Sequence, residues 1–93
     1  MQTQIHPLFP FGQVVATPNA LEVVTPDEIR VAFQRHLNGD WGELDDEDKT
    51  ANDEAILVGS RIFSSYETNS QVKFWIITEA DRSSTTILLP QDY

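Results

Sequence analysis

Between residues 61 and 89 the chain carries three stretches of strand character, separated by polar connections too short to hold a helix. Residues 61–67 alternate loosely, Thr68-Asn69-Ser70 is a turn, and residues 72–79 are rich in β-branched and aromatic side chains. Ala80-Asp81-Arg82-Ser83 makes a second polar turn, and residues 85–89 form a last stretch that Pro90 stops. Parallel neighbours need a crossover of about a dozen residues or more, so connections this short force adjacent strands to run antiparallel. The last third is therefore predicted to be a β-meander. Within its middle stretch Val72, Phe74 and Ile76 share one face while Trp75 and Ile77 share the other. Apolar character on both faces marks a central strand, with helices over one side and the N-terminal arm or a partner over the other.

Upstream, the signals are helical. Thr25-Pro26-Asp27-Glu28 is a capping box in which Thr25 caps the Glu28 amide and Glu28 reaches back. Pro26 suits the first helical position, where its missing N–H costs nothing, and Asp27 and Glu28 complement the dipole. Ile29, Ala32, Phe33, His36 and Leu37 then fall on one face, and Asn38-Gly39 supplies a left-handed stop, which predicts a helix over 26–37. After the turn Gly39-Asp40-Trp41-Gly42-Glu43-Leu44, Asp45 is the expected cap of a second helix with Asp46, Glu47 and Asp48 in its first turn. Its expected inward residues are Ala51, Ala55 and Val58, widened by Ile56 and Leu57, and Gly59 ends it. Gln13-Val14-Val15-Ala16 suits a short strand and residues 18–24 one or two helical turns. Residues 1–11 hold Pro7 and Pro10 and read as an extended arm whose Leu8, Phe9 and Phe11 dock on the body. The expected architecture is α+β, an antiparallel β-meander of three to four strands packed against two main helices, as one domain over residues 1–93.

Composition narrows the function classes. The chain has no cysteine, which excludes disulfides, thiolate metal sites and a cysteine nucleophile and fits a reducing cytoplasm. Apolar runs such as Phe74-Trp75-Ile76-Ile77 are too short to span a bilayer, and Met1-Gln2-Thr3-Gln4 lacks the basic start of a signal peptide. A cytoplasmic protein is expected. The formal charge of −9 disfavours direct binding to nucleic acid or anionic lipid and favours a protein partner with a basic surface. The cations Arg30, Arg35, Lys49, Arg61, Lys73 and Arg82 are scattered and make no stripe along which a phosphate backbone would run.

Acidity is concentrated. Eight of the fifteen carboxylates lie between residues 40 and 54, so part of the charge is a local surface rather than a global property. Oxygen ligands in a cluster would suit calcium or magnesium, but the block lacks the alternation, the glycine and the closing glutamate of a calcium loop, so no metal is expected. Helix capping and solvation account for the same residues. Read as a partner-binding surface, the candidate residues are Asp40, Trp41, Glu43, Asp45, Asp46, Glu47 and Asp48, together with Asp81 and Arg82 in the later turn.

Two catalytic alternatives are open at this level. His36 would be a general base oriented by Asp40, or else a packed histidine on an apolar helix face. The 81–84 loop, with Asp81, Arg82, Ser83 and Ser84 beside Thr78, Glu79, Thr85 and Thr86, would be a catalytic or anion-binding loop. It reads equally as a polar turn holding an Asp81–Arg82 or Glu79–Arg82 pair. His6 in the arm carries no signal. No phosphate loop, HExxH or GxSxG motif occurs, and no cofactor is expected.

Several segments resemble a known family. They are Phe11-Gly12-Gln13-Val14-Val15-Ala16-Thr17-Pro18, Gly39-Asp40-Trp41-Gly42-Glu43-Leu44 with Glu47-Asp48-Lys49, Asn52-Asp53, and the run from Phe74-Trp75-Ile76-Ile77 through Thr78-Glu79-Ala80-Asp81-Arg82-Ser83-Ser84-Thr85-Thr86 to Leu89-Pro90. They are similar to small bacterial proteins of plasmids and integrating mobile elements, some labelled plasmid-related and some labelled modification subunits of type I restriction systems. The second label names no activity here, because the chain is too short for a methyltransferase and has no glycine-rich cofactor loop or Asn-Pro-Pro-Tyr-type motif. The resemblance implies mobile DNA that must survive host defences, and it transfers no catalytic residue.

The leading expectation is a non-catalytic acidic binding protein of a mobile element that inhibits a host nucleic-acid-handling defence complex, of anti-restriction or anti-CRISPR type. The alternatives are a small hydrolase or transferase using His36 and Asp40 or the 81–84 loop, and a structural homo-oligomer, such as a homodimer, that buries Trp75 and Ile77.

Overall fold

A computed structural model describes residues 7–93, so the first part of the arm, His6 included, lies outside the described residues. The chain runs β1 (Gln13–Ala16), α1 (Pro18–Val23), α2 (Pro26–Leu37), α3 (Asp46–Val58), β2 (Ile62–Glu67), β3 (Lys73–Thr78) and β4 (Ser84–Leu88), then a 3₁₀ turn at Pro90–Asp92. It is an α+β fold, a strand meander packed against helices. The sheet order is β1-β4-β3-β2. The two short turns make β2–β3 and β3–β4 antiparallel, as expected. The sheet is nonetheless mixed, because β1 lies parallel to β4. All three helices and two strands separate β1 from β4 in sequence, so this pair has the long crossover that parallel pairing requires.

Local signals place the helix starts. Thr17 Oγ1 accepts from the Ala20 amide at 3.1 Å, and Asp45 Oδ1 accepts from the Asp48 amide at 2.8 Å. The capping box forms in full: Glu28 N donates to Thr25 Oγ1 at 3.1 Å and Thr25 N to Glu28 Oε1 at 2.9 Å. Glu28 has a second, non-local duty, because its other oxygen accepts from Asn69 N at 2.7 Å and ties α2 to the β2–β3 turn.

Helices cover one sheet face. Ala20, Val24 and Ala32 pack with Tyr66, Phe74, Ile76, Ile87 and Leu89, while Phe9, Leu37, Trp41, Ala55 and Ile62 form a second cluster; Phe33 touches both. The arm joins this side. Leu8 N donates to Leu37 O at 3.0 Å, and the Phe9 and Phe11 rings meet His36 and Phe33 edge-on.

The opposite sheet face was expected under the arm or a partner; within the chain, C-terminal residues lie against part of it. Thr17 Oγ1 and Asn19 Nδ2 donate to the Asp92 carboxylate at 2.6 and 2.8 Å, which fixes the 3₁₀ turn beside the sheet. The Tyr93 ring meets Trp75 edge-on, and Phe63 meets Trp75 from the other side. Ile77 is already 4% exposed within the chain.

The inward face of α3 also departs from its expected residues. Ala55 is buried and Ile56 half-buried, but Ala51 is exposed, Leu57 is 85% exposed and Val58 72% exposed. The residue that turns inward beside Ala55 is Asn52. Its Nδ2 donates to Phe63 O at 2.6 Å and its Oδ1 accepts from Phe63 N at 3.1 Å. These two bonds close the free edge of β2, which outweighs aliphatic periodicity in setting the rotation of the helix. Two residues along, Ser65 N donates to Trp41 O at 3.2 Å and Glu43 N donates to Ser65 O at 2.8 Å. Gly42 lies between them with φ +75°, and a Cβ there would meet Ser65 O at 2.0 Å, so only glycine permits this approach.

Candidate functional site

His36 projects from the apolar face of α2 to the inner sheet surface, where it is 0% exposed. It packs edge-on against the Phe9 and Trp41 rings, with centroids at 5.4 and 5.8 Å, and those two rings stack on each other at 6.3 Å. Its Nδ1 is 2.5 Å from Ser64 Oγ on β2 and its Nε2 is 2.9 Å from Thr78 Oγ1 on β3. Thr78 Oγ1 is in turn 2.7 Å from Thr85 Oγ1 on β4, and Thr85 Oγ1 donates to the Phe11 carbonyl at 2.8 Å.

Proton counting orients the whole chain. The Thr85 hydroxyl proton is committed to a carbonyl that can only accept, so Thr78 donates to Thr85. Thr78 then has no proton left for His36, which makes Nε2 the donor, and Nδ1 accepts from Ser64. The result is a neutral imidazole in a single tautomer, linking α2, β2, β3, β4 and the arm. Burial pushes the His36 pKa down from 6.5 to about 3, consistent with that neutral state.

Ser64 beside an imidazole nitrogen has the spacing of a nucleophile and its base. The surroundings remove that chemistry. Both residues are fully buried, and the group on the far ring nitrogen is a neutral threonine rather than a carboxylate. Among the described residues no buried side-chain polar atom lacks a hydrogen-bond partner, so this network leaves no group free to meet a substrate.

Asp40 does not orient His36. Its carboxylate accepts from Arg35 Nε at 2.8 Å and Nη2 at 3.2 Å, and that guanidinium holds its pKa below the usual range. In the 81–84 loop, Asp81 and Arg82 bond to backbone. Asp81 Oδ1 accepts from Ser83 N at 3.0 Å, and hydrogen bonds from Ser83 lower its pKa. Arg82 pairs with neither Asp81 nor Glu79 through a carboxylate. Its guanidinium donates to the carbonyls of Ser60, Ala55 and Glu79 at 2.6, 2.9 and 3.1 Å, capping the C-terminus of α3.

The remaining acidic candidates divide by what they touch. Trp41 is 3% exposed and donates from Nε1 to Asp53 at 3.0 Å, so its ring belongs to the core and offers no surface to a partner. Glu43 lies 3.5 Å from Lys73. Asp45 caps α3, whereas the side chains of Asp46, Glu47 and Asp48 are exposed in its first turn. Among the described residues only Asp27, Asp40 and Glu43 make ion pairs, and none of Asp45 to Asp48 does. The same residues contain no group of three His, Asp or Glu side chains placed to hold a metal, and no helix long and apolar enough to cross a membrane.

Sequence reasoning missed Ser64 and Asn52 as site residues, and it read Thr78 and Thr85 with the 81–84 turn rather than with His36. A signal existed for the hydroxyls: Ser64 lies two residues from Ile62 and Tyr66, Thr78 two from Ile76, and Thr85 two from Ile87. Strand alternation therefore puts each of them on the buried face, opposite a helix whose apolar stripe contains a histidine.

No known family model matches the chain, nor does any curated protein or solved structure match it.

Proposed function

We propose that this chain is a non-catalytic, cytoplasmic binding protein that presents an acidic surface to a basic protein partner. One observation carries the reading. Asp46, Glu47 and Asp48 are exposed in the first turn of α3 and make no ion pair among the described residues, while the buried His36 network is satisfied by hydrogen bonds. A like-charged exposed cluster raises the local potential and steers a basic surface toward it. The resemblance to mobile-element proteins gives the finer form: the partner is a nucleic-acid-handling complex of host defence, and binding inhibits it in the anti-restriction or anti-CRISPR manner.

Partners captured from a bacterial host lysate and identified by mass spectrometry would be tested with a variant carrying Asp45→Asn, Asp46→Asn and Asp48→Asn. Asparagine is as good an N-cap as aspartate, so α3 stays capped while the charge falls. Binding is expected to weaken steeply with salt and with these changes. Salt-insensitive binding, or none to any DNA-processing complex, overturns the reading.

Half-buried Phe63 and Trp75 beside the exposed Tyr93 favour a second reading, self-association through the helix-free sheet face. Light scattering after size exclusion tests it, and a clean monomer at high concentration excludes it.

A further inference from the structure

A groove of about 310 Å³ lies between the solvent side of α2 and the ends of β2 and β3, away from the first turn of α3. Its apolar wall includes Val31, which is 46% exposed on α2, together with Ala32 and Phe74. Asp27 and Glu67 also line it. Glu67 has no cation partner among the described residues, and Asp27 meets Arg30 only across 3.6 Å in an exposed pair. Glu28 also lines the groove, but both its oxygens are engaged by the backbone of Thr25 and Asn69.

An apolar wall beside two exposed carboxylates, Glu67 without an ion pair among the described residues and Asp27 with only an exposed one, fits one class of side chain: a long methylene stem with a cation at its tip. A fully apolar occupant would strip water from Asp27 and Glu67 without replacing it, and an anionic one would be repelled. Within the groove Arg35 already shows the pattern. Its guanidinium lies 4.9 Å over the Tyr66 ring while Asp40 holds its edge. That contact occupies the aromatic face, so an incoming cation is directed to Asp27 and Glu67.

We propose that this groove receives a lysine or arginine side chain from a basic partner, its stem along Val31 and its charge between Asp27 and Glu67. The inference rests on the acidic-surface reading and adds a second, specific contact to it.

Three end-blocked pentapeptides with central lysine, arginine or norleucine between glycines would be titrated at low ionic strength, with side-chain chemical shifts of Val31, Tyr66 and Phe74 as readout. Norleucine keeps the stem and removes the charge. Lysine and arginine peptides are expected to shift these signals saturably and norleucine is not. Asp27→Asn with Glu67→Gln is expected to lower affinity roughly 3- to 10-fold, and Val31→Thr, which keeps the volume but roughens the apolar wall, about 2-fold. Both sets are exposed, and unchanged backbone shifts elsewhere verify the fold. Equal response to norleucine, or shifts confined to Asp46, Glu47 and Asp48, overturns the groove and leaves the acidic-surface reading standing. No response at any site overturns the groove, and salt-insensitive partner binding separately overturns the broader reading.

Discussion

His36 Nε2 donates to Thr78 Oγ1 across 2.9 Å, and this contact joins the last turn of α2 to the end of the central strand β3. The imidazole must be neutral to satisfy it within the directional chain that ends at Phe11 O. Folding therefore carries a proton penalty in acid.

That penalty has a definite sign and window. The folded-state pKa of about 3 lies below the unfolded value near 6.5, so the unfolded chain binds the extra proton between them. Stability is expected to be complete above pH 6.5 and to fall by about 1.4 kcal/mol per pH unit below it, down toward pH 3. Asp40, Glu28, Asp81 and Asp92, whose pKa values are lowered, lose their contributions only as pH falls below about 4. Urea titrations at pH 7, 6 and 5 therefore isolate His36, and His36→Gln should flatten the slope across that range.

Thr85→Val should cost about 1–3 kcal/mol, because it leaves the Thr78 hydroxyl and the Phe11 carbonyl without their partner. Thr86→Val, one residue along and on the opposite sheet face, serves as the control and should stay within about 0.5 kcal/mol. Equal denaturation midpoints for the two variants would remove the relay from the account of stability.

Asn52→Leu should destabilise by about 2–4 kcal/mol despite adding apolar volume at a buried site, since both Phe63 backbone groups lose their partner. Hydrogen exchange should report the same event locally, with the Phe63 amide losing protection before those of β3.

Gly42→Ala and Gly59→Ala separate contact from conformation. Both glycines have positive φ, but a Cβ at Gly42 meets Ser65 O at 2.0 Å whereas one at Gly59 meets nothing within 4 Å. Gly59→Ala should cost about 1–2 kcal/mol from the left-handed backbone alone. Gly42→Ala should cost more, since the 41–43 segment must leave the β2 edge, and differential scanning calorimetry would rank the pair.

Much of the fold was legible because its determinants act over three or four residues. Thr25 and Glu28 cap one another, Asp45 caps Asp48, and the two short polar turns leave β2, β3 and β4 no choice but to run antiparallel. These relations are local, so the sequence by itself determined where the helices start and the direction of the meander. It also determined that the chain carries a concentrated acidic surface.

Tertiary structure alone decided the rest. Whether α3 turns Val58 or Asn52 inward depends on the open backbone of Phe63, eleven residues from Asn52. Whether His36 is a base or a sealed core residue depends on Ser64 and Thr78, which lie 28 and 42 residues away. Arg82 looked like half of an ion pair and instead caps the end of α3, reaching the Ala55 carbonyl of its last turn across 27 residues and the Ser60 carbonyl just beyond it across 22. Buried polar groups take whichever partner the packed chain brings near, and no short-range pattern names that partner.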